Sequence, residues 1–262
     1  MRELTFGFSP CPNDTFAFHA LVHGLVPAPF RVRPVLLDIE ELNRRAQEGE
    51  GAFELSKISV GALAAVGERY RIIRSGAALG HGVGPLVVAR SARPLPDAVS
   101  GRVAIPGRQT TAYRLLQLAA PVLGEAVEVR YDRILGAVER GEFDAGLIIH
   151  ESRFTYADHG LTKIVDLGDW WEAETGLPVP LAAICARASV DPALARAAEE
   201  AIRASVAYAF AHPEASRAYV RANAQELSDE VCDKHIALYV NEHSLDIGDE
   251  GLGAVRRLAG AC

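Results

Sequence analysis

The segment Phe143–Glu151, FDAGLIIHE, is an almost unbroken apolar run that ends on a histidine. A strand exposed on one side would alternate; a run this apolar belongs to a strand covered on both faces, as in a parallel sheet flanked by helices. The neighbouring sequence fits that reading. Upstream lie GRVAIPG, a buried strand, TTAYRLLQLAA, a helix, VEVRYDRI, a strand of clean period two, and LGAVERGE, a short helix. TKIVDLGDW follows, and GLPVPLAAICAR reads as a further strand.

A similar series occupies the first third of the chain. LTFGF is a strand, Thr15–Gly24 has helical spacing, FRVRPVLLD is a strand, and IEELNRRAQEG is a polar helix stopped by glycine. AFELSKISV, the apolar helix VGALAAVGE and YRIIRSGAAL come next, and PLVVARS leads out of the series after GHGVG. From Asp191 the pattern is helical: DPALARAAEEAIRASVAYAFAH, PEASRAYVRANAQ and a segment near SDEVCDKHIALYVNEH. Repeated strand–helix alternation predicts an α/β fold with mostly parallel sheets.

Two series joined by two crossings, near Pro85–Arg90 and Pro178–Ala186, predict a two-lobed, class II periplasmic-binding-protein-like fold with a ligand cleft between the lobes. Residues 1–88 make the first part of one lobe and 89–182 the other. Residues 183–262 supply the return strand and C-terminal helices of the first. In open α/β sheets ligands bind beyond the carboxyl ends of the strands, which selects four stretches: Ser9–Thr15, Lys57–Ser59, Pro106–Thr111 and His150–Phe154.

Composition narrows the partners. A net charge of −7 argues against nucleic acid, whose binders carry a basic face. No apolar stretch approaches the roughly 20 residues of a membrane span, and Met1-Arg2-Glu3 does not open a signal peptide. Cys11, Cys185, Cys232 and Cys262 lack metal-ligand spacing and read as reduced thiols in the cytoplasm. The expected partner is a small-molecule carboxylate; oligomeric state is not legible.

In SPCPNDT, Pro10 and Pro12 fix φ and extend Ser9 and Cys11, while Asn13, Asp14 and Thr15 are all competent helix N-caps. The stretch is either a rigid turn or a helix N-terminus offered to an anion. As ligand contacts Asn13 and Thr15 are preferred to Asp14, whose charge opposes an anion. Cys11, without an identifiable histidine partner, reads as a structural thiol. IPGRQTTAYRLL resembles an anion cradle capped by Thr110 or Thr111, but lacks the spacing of a nucleotide P-loop. Period two places Lys57 and Ser59 on one face at a strand end, where a lysine either neutralises a ligand carboxylate or is simply solvated. His150 is either a hydrogen-bonded structural histidine after a strand or the candidate general base, since its ordinary pKa allows proton transfer near neutrality. Of the other seven histidines, only His81 in the glycine turn is kept in reserve. Trp170 or Trp171 either walls an aromatic ligand or packs the hinge.

Together SPCPNDTFAFHAL, ELSKISVGAL, GHGVGPLVV, IPGRQTTAYRLL, GLIIHESRFTY, GDWWEAETGLPVPL and VNEHSLDIGDEG resemble the 1,4-dihydroxy-6-naphthoate synthase family of menaquinone biosynthesis. His243 in the last motif stands where an apolar or aromatic residue is expected. The resemblance implies a cytoplasmic, cofactor-free lyase that acts on cyclic dehypoxanthinyl futalosine. It also implies His150 as base and Lys57, Ser59, Thr110 and Thr111 as substrate contacts, beside the Ser9, Asn13 and Thr15 wall. Two other readings share the scaffold: chorismate dehydratase of the same pathway, and a non-catalytic binder of small carboxylates.

Overall fold

In the computed structural model, which describes residues 2–49, 51–224 and 228–260, Leu4, Phe6 and Phe8 are fully buried on one face of the first strand. Gln225, in the predicted PEASRAYVRANAQ helix, and Cys262 lie outside the described residues. The chain divides into two compact units, Met1–Gly80 with Pro180–Cys262, and His81–Val179.

The first unit starts with β1 (Arg2–Phe8), α1 (Pro12–Val22), β2 (Phe30–Leu36), α2 (Ile39–Glu48), β3 (Leu55–Ser59), α3 (Leu63–Val66), β4 (Tyr70–Ile72) and β5 (Ala78–Gly80). The second holds β6 (Leu86–Ala89), α4 (Leu95–Ala98), β7 (Arg102–Ile105), α5 (Thr111–Ala119), β8 (Glu125–Glu128), α6 (Ile134–Glu139), β9 (Ala145–Ile148), α7 (Ser152–Thr155), β10 (Thr162–Asp166) and α8 (Leu167–Thr175). β11 (Val179–Arg187) carries the chain back. α9 (Pro192–Ala211), α10 (Arg217–Asn223), α11 (Asp229–Tyr239), α12 (Glu242–Leu245) and α13 (Gly248–Ala259) complete the first unit.

Strand order is β2-β1-β3-β11-β4 with β5 on β11 in one sheet, and β10-β6-β9-β7-β8 in the other. β1 runs parallel to β2 and β3, and β7 parallel to β8 and β9. β11 is antiparallel to β3 and β4, and β6 to β9 and β10. The sheets are therefore mixed, where the sequence predicts mostly parallel ones. The βα alternation sets the parallel pairs, but β6 and β11 enter their sheets from the other unit, so no local crossover fixes their direction.

Each sheet is covered by an apolar layer. Phe6, Phe8 and Phe18 of α1 pack with ring centroids 4.9–5.3 Å apart, and Ile202 and Val206 of α9 join the same cluster. In the second unit Ile134 and Val138 of α6 lie against β9, where a Cβ on Gly146 would come within 2.7 Å of Ile134. Glycine there lets the helix sit directly on the strand.

Three elements differ from their sequence pattern. VEVRYDRI does not continue as a strand. β8 ends at Glu128 because its partner β7 ends at Ile105, the last residue in register, and Tyr131–Arg133 then form a 3₁₀ turn with Tyr131 buried. VGALAAVGE splits into a 3₁₀ turn, Val60–Ala62, and the short α3, which stops at Gly67 with φ +58°. FDAGLIIHE yields only the four buried residues of β9, so His150 lies beyond the strand rather than on its last position.

Gly84 of the GHGVG turn touches the start of α8. A Cβ there would meet the Gly168 amide nitrogen at 2.1 Å and Gly168 Cα at 2.3 Å, both backbone atoms that cannot swing away. Gly84→Ala is expected to destabilise the second unit by about 1–3 kcal/mol through overpacking. A thermal melt coincident with that of the parent chain would show that the turn accommodates a methyl group.

Candidate active site

The SPCPNDT corner joins β1 to α1, and Lys57 and Ser59 lie on β3, the parallel neighbour of β1. The cap of α1 is Cys11, at φ −62° and ψ 152°, and Pro12 opens the helix. Asn13, Asp14 and Thr15 therefore fall in the first turn, not at the N-cap where the sequence suggests them. The two prolines account for this: an extended residue must precede Pro12, and proline suits the first helical position. Thr15 Oγ1 donates back to the carbonyls of Cys11 (3.0 Å) and Pro12 (3.3 Å), bracing the turn.

Asp14 organises the corner. One carboxylate oxygen accepts from the Ser9 amide (3.0 Å) and hydroxyl (2.9 Å). The other accepts from Asn13 Nδ2 at 3.0 Å and pairs with the Lys57 ammonium. Both ionic side chains are almost fully buried, 6% exposed for Lys57 and 2% for Asp14. The pair brings a cation and an anion into the interior together, and the surrounding donors satisfy the carboxylate's remaining lone pairs. Asn13 Oδ1 meets His235 Nε2 of α11 at 3.0 Å. Ser59 is held by Asn43 of α2, whose Oδ1 accepts from the Ser59 amide (2.8 Å) and whose Nδ2 donates to its hydroxyl (3.0 Å).

In the second unit Thr110 is the N-cap of α5. Its Oγ1 accepts from the Tyr113 amide at 3.2 Å and donates to the Gly107 carbonyl at 2.7 Å, and both Thr110 and Thr111 are 3% exposed. These threonines and His150 follow the carboxyl ends of β7 and β9, which are adjacent and parallel.

His150 has φ +57°, the sole non-glycine residue among the described ones in the left-handed region. Such a backbone costs on the order of 1–3 kcal/mol, and residues held that way concentrate at functional sites. It turns the chain from β9 into α7, and the imidazole stands edge-on to the buried Tyr131 ring at 4.8 Å. Just beyond, Arg153 clamps the turn: its guanidinium donates to the Gly84 carbonyl and, at 2.9 Å, to Asp166. The other Asp166 oxygen caps α8 through the Gly168 amide at 2.8 Å.

The remaining candidates resolve individually. His81 Nδ1 lies 2.8 Å from Glu172 of α8, whose second oxygen accepts from the Gly82 amide at 2.7 Å. Trp171 is buried and donates to the Pro178 carbonyl at 3.1 Å, a packing role that secures the GLPVP entry to β11; Trp170 is half-buried. His243 fits without disruption, its amide donating at 2.9 Å to Asn241, the capping-box residue of α12. Cys11, Cys185 and Cys232 are buried and none is in a disulfide; full burial pushes the Cys185 thiol up.

Asn43 against Ser59, Tyr131 against His150 and His235 against Asn13 are contacts that the sequence does not point to, as is the place of Asp14 as hub of its corner. Asp14 carries a sequence signal as a helix-capping carboxylate that opposes an anion, but none that shows its pairing with Lys57. His235 is 222 residues from its partner, and no spacing rule reaches that far.

Comparison with solved structures defines the class first. A Candida albicans protein described as having the generic periplasmic binding protein structural fold superposes with TM-score 0.69 at 13% identity, over 99% of this chain and 90% of that one. The chain thus has a periplasmic-binding-protein-like α/β fold. An Archaeoglobus fulgidus protein solved by X-ray crystallography is much nearer, with TM-score 0.92 and 36% identity over 98% of this chain and 96% of that one.

The chain belongs to the family described as menaquinone biosynthesis, whose model matches residues 4–262. A Thermus thermophilus protein named 1,4-dihydroxy-6-naphthoate synthase is 59% identical over 98% of this chain and 93% of the relative. One of the same name from Streptomyces coelicolor is 46% identical over 97% and 91%.

Proposed function

We propose that this chain is a lyase of menaquinone biosynthesis that converts cyclic dehypoxanthinyl futalosine to 1,4-dihydroxy-6-naphthoate. The observation that carries the reading is 59% and 46% identity, over nearly the whole chain, to proteins bearing that synthase name. His150 is the general base. It removes an acidic proton beside a carbonyl, and the fragmentation that follows aromatises the bicycle. The reaction as read is redox-neutral, so one base and donors for the developing oxyanion suffice.

The residues read as substrate contacts are Ser9, Asn13, Thr15, Lys57, Ser59, Thr110 and Thr111. Lys57 takes part as half of an ion pair, and with the Ser9 amide and the Ser9 and Thr15 hydroxyls donating within the corner, the corner's side-chain donor toward a ligand is the Asn13 amide rather than an isolated ammonium. Of the two amide hydrogens on Asn13, Asp14 takes one, and the second serves a substrate oxygen. The buried thiols suit a reducing compartment, and the reading includes a cytoplasmic location. No helix among the described residues is long and apolar enough to cross a membrane.

Incubating the purified chain with cyclic dehypoxanthinyl futalosine is expected to release 1,4-dihydroxy-6-naphthoate. Substrate recovered intact but bound would overturn the enzyme reading in favour of a binder. Turnover of chorismate instead would move the assignment to a dehydratase.

A further inference from the structure

We propose that His235 is a positioning residue for substrate binding, acting through the side-chain amide of Asn13. The inference rests on the reading of Asn13 as a substrate contact. His235 belongs to α11, is 1% exposed, and packs its ring at a tilt against Tyr239 with centroids 4.6 Å apart. Its Nε2 lies 3.0 Å from Asn13 Oδ1.

The polarity of this contact is fixed from the other end of the network. Asp14 faces the Lys57 ammonium and accepts from Ser9, so its carboxylate is an acceptor and nothing else. The group of Asn13 that approaches it, at 3.0 Å, must be the amide nitrogen. The amide oxygen then faces His235, and the imidazole must donate through Nε2–H. One sequence of donors results: Lys57 to Asp14, Asn13 to Asp14, His235 to Asn13. With the oxygen held by His235 and one N–H held by Asp14, the amide plane is set from both sides. The second N–H is thereby aimed in a single direction.

Without the imidazole donor, a buried carbonyl oxygen is left unsatisfied, which drives the amide to turn toward another donor. The second N–H would turn with it. The effect belongs to binding and not to proton removal, because the change at His235 is passed on through the Asn13 amide.

Steady-state kinetics on Asn13→Ala, His235→Phe, His235→Gln and the Asn13→Ala/His235→Phe double variant test this, with a melting temperature measured for each. Phenylalanine keeps the ring against Tyr239 and lacks the donor; glutamine restores an N–H. His235→Phe is expected to raise KM about tenfold with kcat within about twofold. His235→Gln should recover most of that rise, and the double variant should be no worse than Asn13→Ala alone, the signature of two residues acting as one. If His235→Phe does not fold, His235→Leu carries the same comparison. The inference is overturned if Asn13→Ala raises KM while His235→Phe leaves it unchanged, if the two effects multiply, or if glutamine fails to rescue in a folded protein. An unchanged KM in Asn13→Ala would overturn the reading of Asn13 itself, and the inference with it.

Discussion

Replacing His150 with asparagine is expected to leave a folded protein whose turnover falls by about 10²–10⁴-fold, the contribution of a positioned general base. Asparagine is the informative substitution because it tolerates the left-handed backbone at φ +57° that the turn from β9 into α7 demands. A β-branched or bulky residue would confound loss of the base with collapse of the turn. Asparagine also keeps a polar group near Tyr131 while losing the capacity to take a proton at neutral pH. The melting temperature should stay within a few degrees of the parent while kcat collapses. A variant that retains turnover within tenfold of the parent would remove His150 as the base, whatever its backbone strain signifies.

Lys57→Met is expected to destabilise the fold severely. The substitution leaves the Asp14 carboxylate buried at 2% exposure without its cation. Removing one member of a buried pair typically costs about 3–5 kcal/mol, because the other charge stays desolvated. At roughly 2–4 °C per kcal/mol for a protein of this size, the melting temperature should fall by on the order of 10 °C. Hydrogen bonds from Ser9 and Asn13 soften the loss but bring no formal charge. Asp14→Leu combined with Lys57→Met should regain part of the loss, since two apolar groups strand no ion. An unchanged melting point in Lys57→Met, measured by calorimetry, would mean that Asp14 finds another counter-charge or takes up a proton.

What the sequence made legible was local. Leu4, Phe6 and Phe8 alternate along β1 and do line the core. The Thr110 cap of α5 follows from a hydroxyl residue directly before an apolar helix. The family motifs run through the chain in consistent order, so the class of protein is legible in the sequence. What was not legible depended on partners distant in sequence. VEVRYDRI has the period of a strand throughout, yet β8 stops where β7 offers no further register, a limit imposed by a neighbour. The antiparallel direction of β6 and β11 has no local signature, because it reflects the side from which the chain enters each sheet.

The candidate site divides in the same way. His150 could be singled out as a histidine closing an apolar run, but not its left-handed backbone, for which glycine is the usual sign. Lys57 and Asp14 were both in view, 43 residues apart, and nothing in their spacing joins them. The sequence therefore shows a lysine at a strand end and not the buried anion that the fold gives it. Pro12 moved the cap of α1 to Cys11, overriding the ordinary preference for asparagine, aspartate or threonine.

The claim that proton abstraction by His150 drives the reaction is tested most directly by the pH dependence of kcat/KM on the cyclic futalosine substrate. A base must be unprotonated to act, so the parent chain should lose activity with unit slope as pH falls through the titration of that imidazole. The residual activity of His150→Asn should lack this limb. A parent profile that stays flat through the acid range, or an identical limb in the variant, would contradict the account.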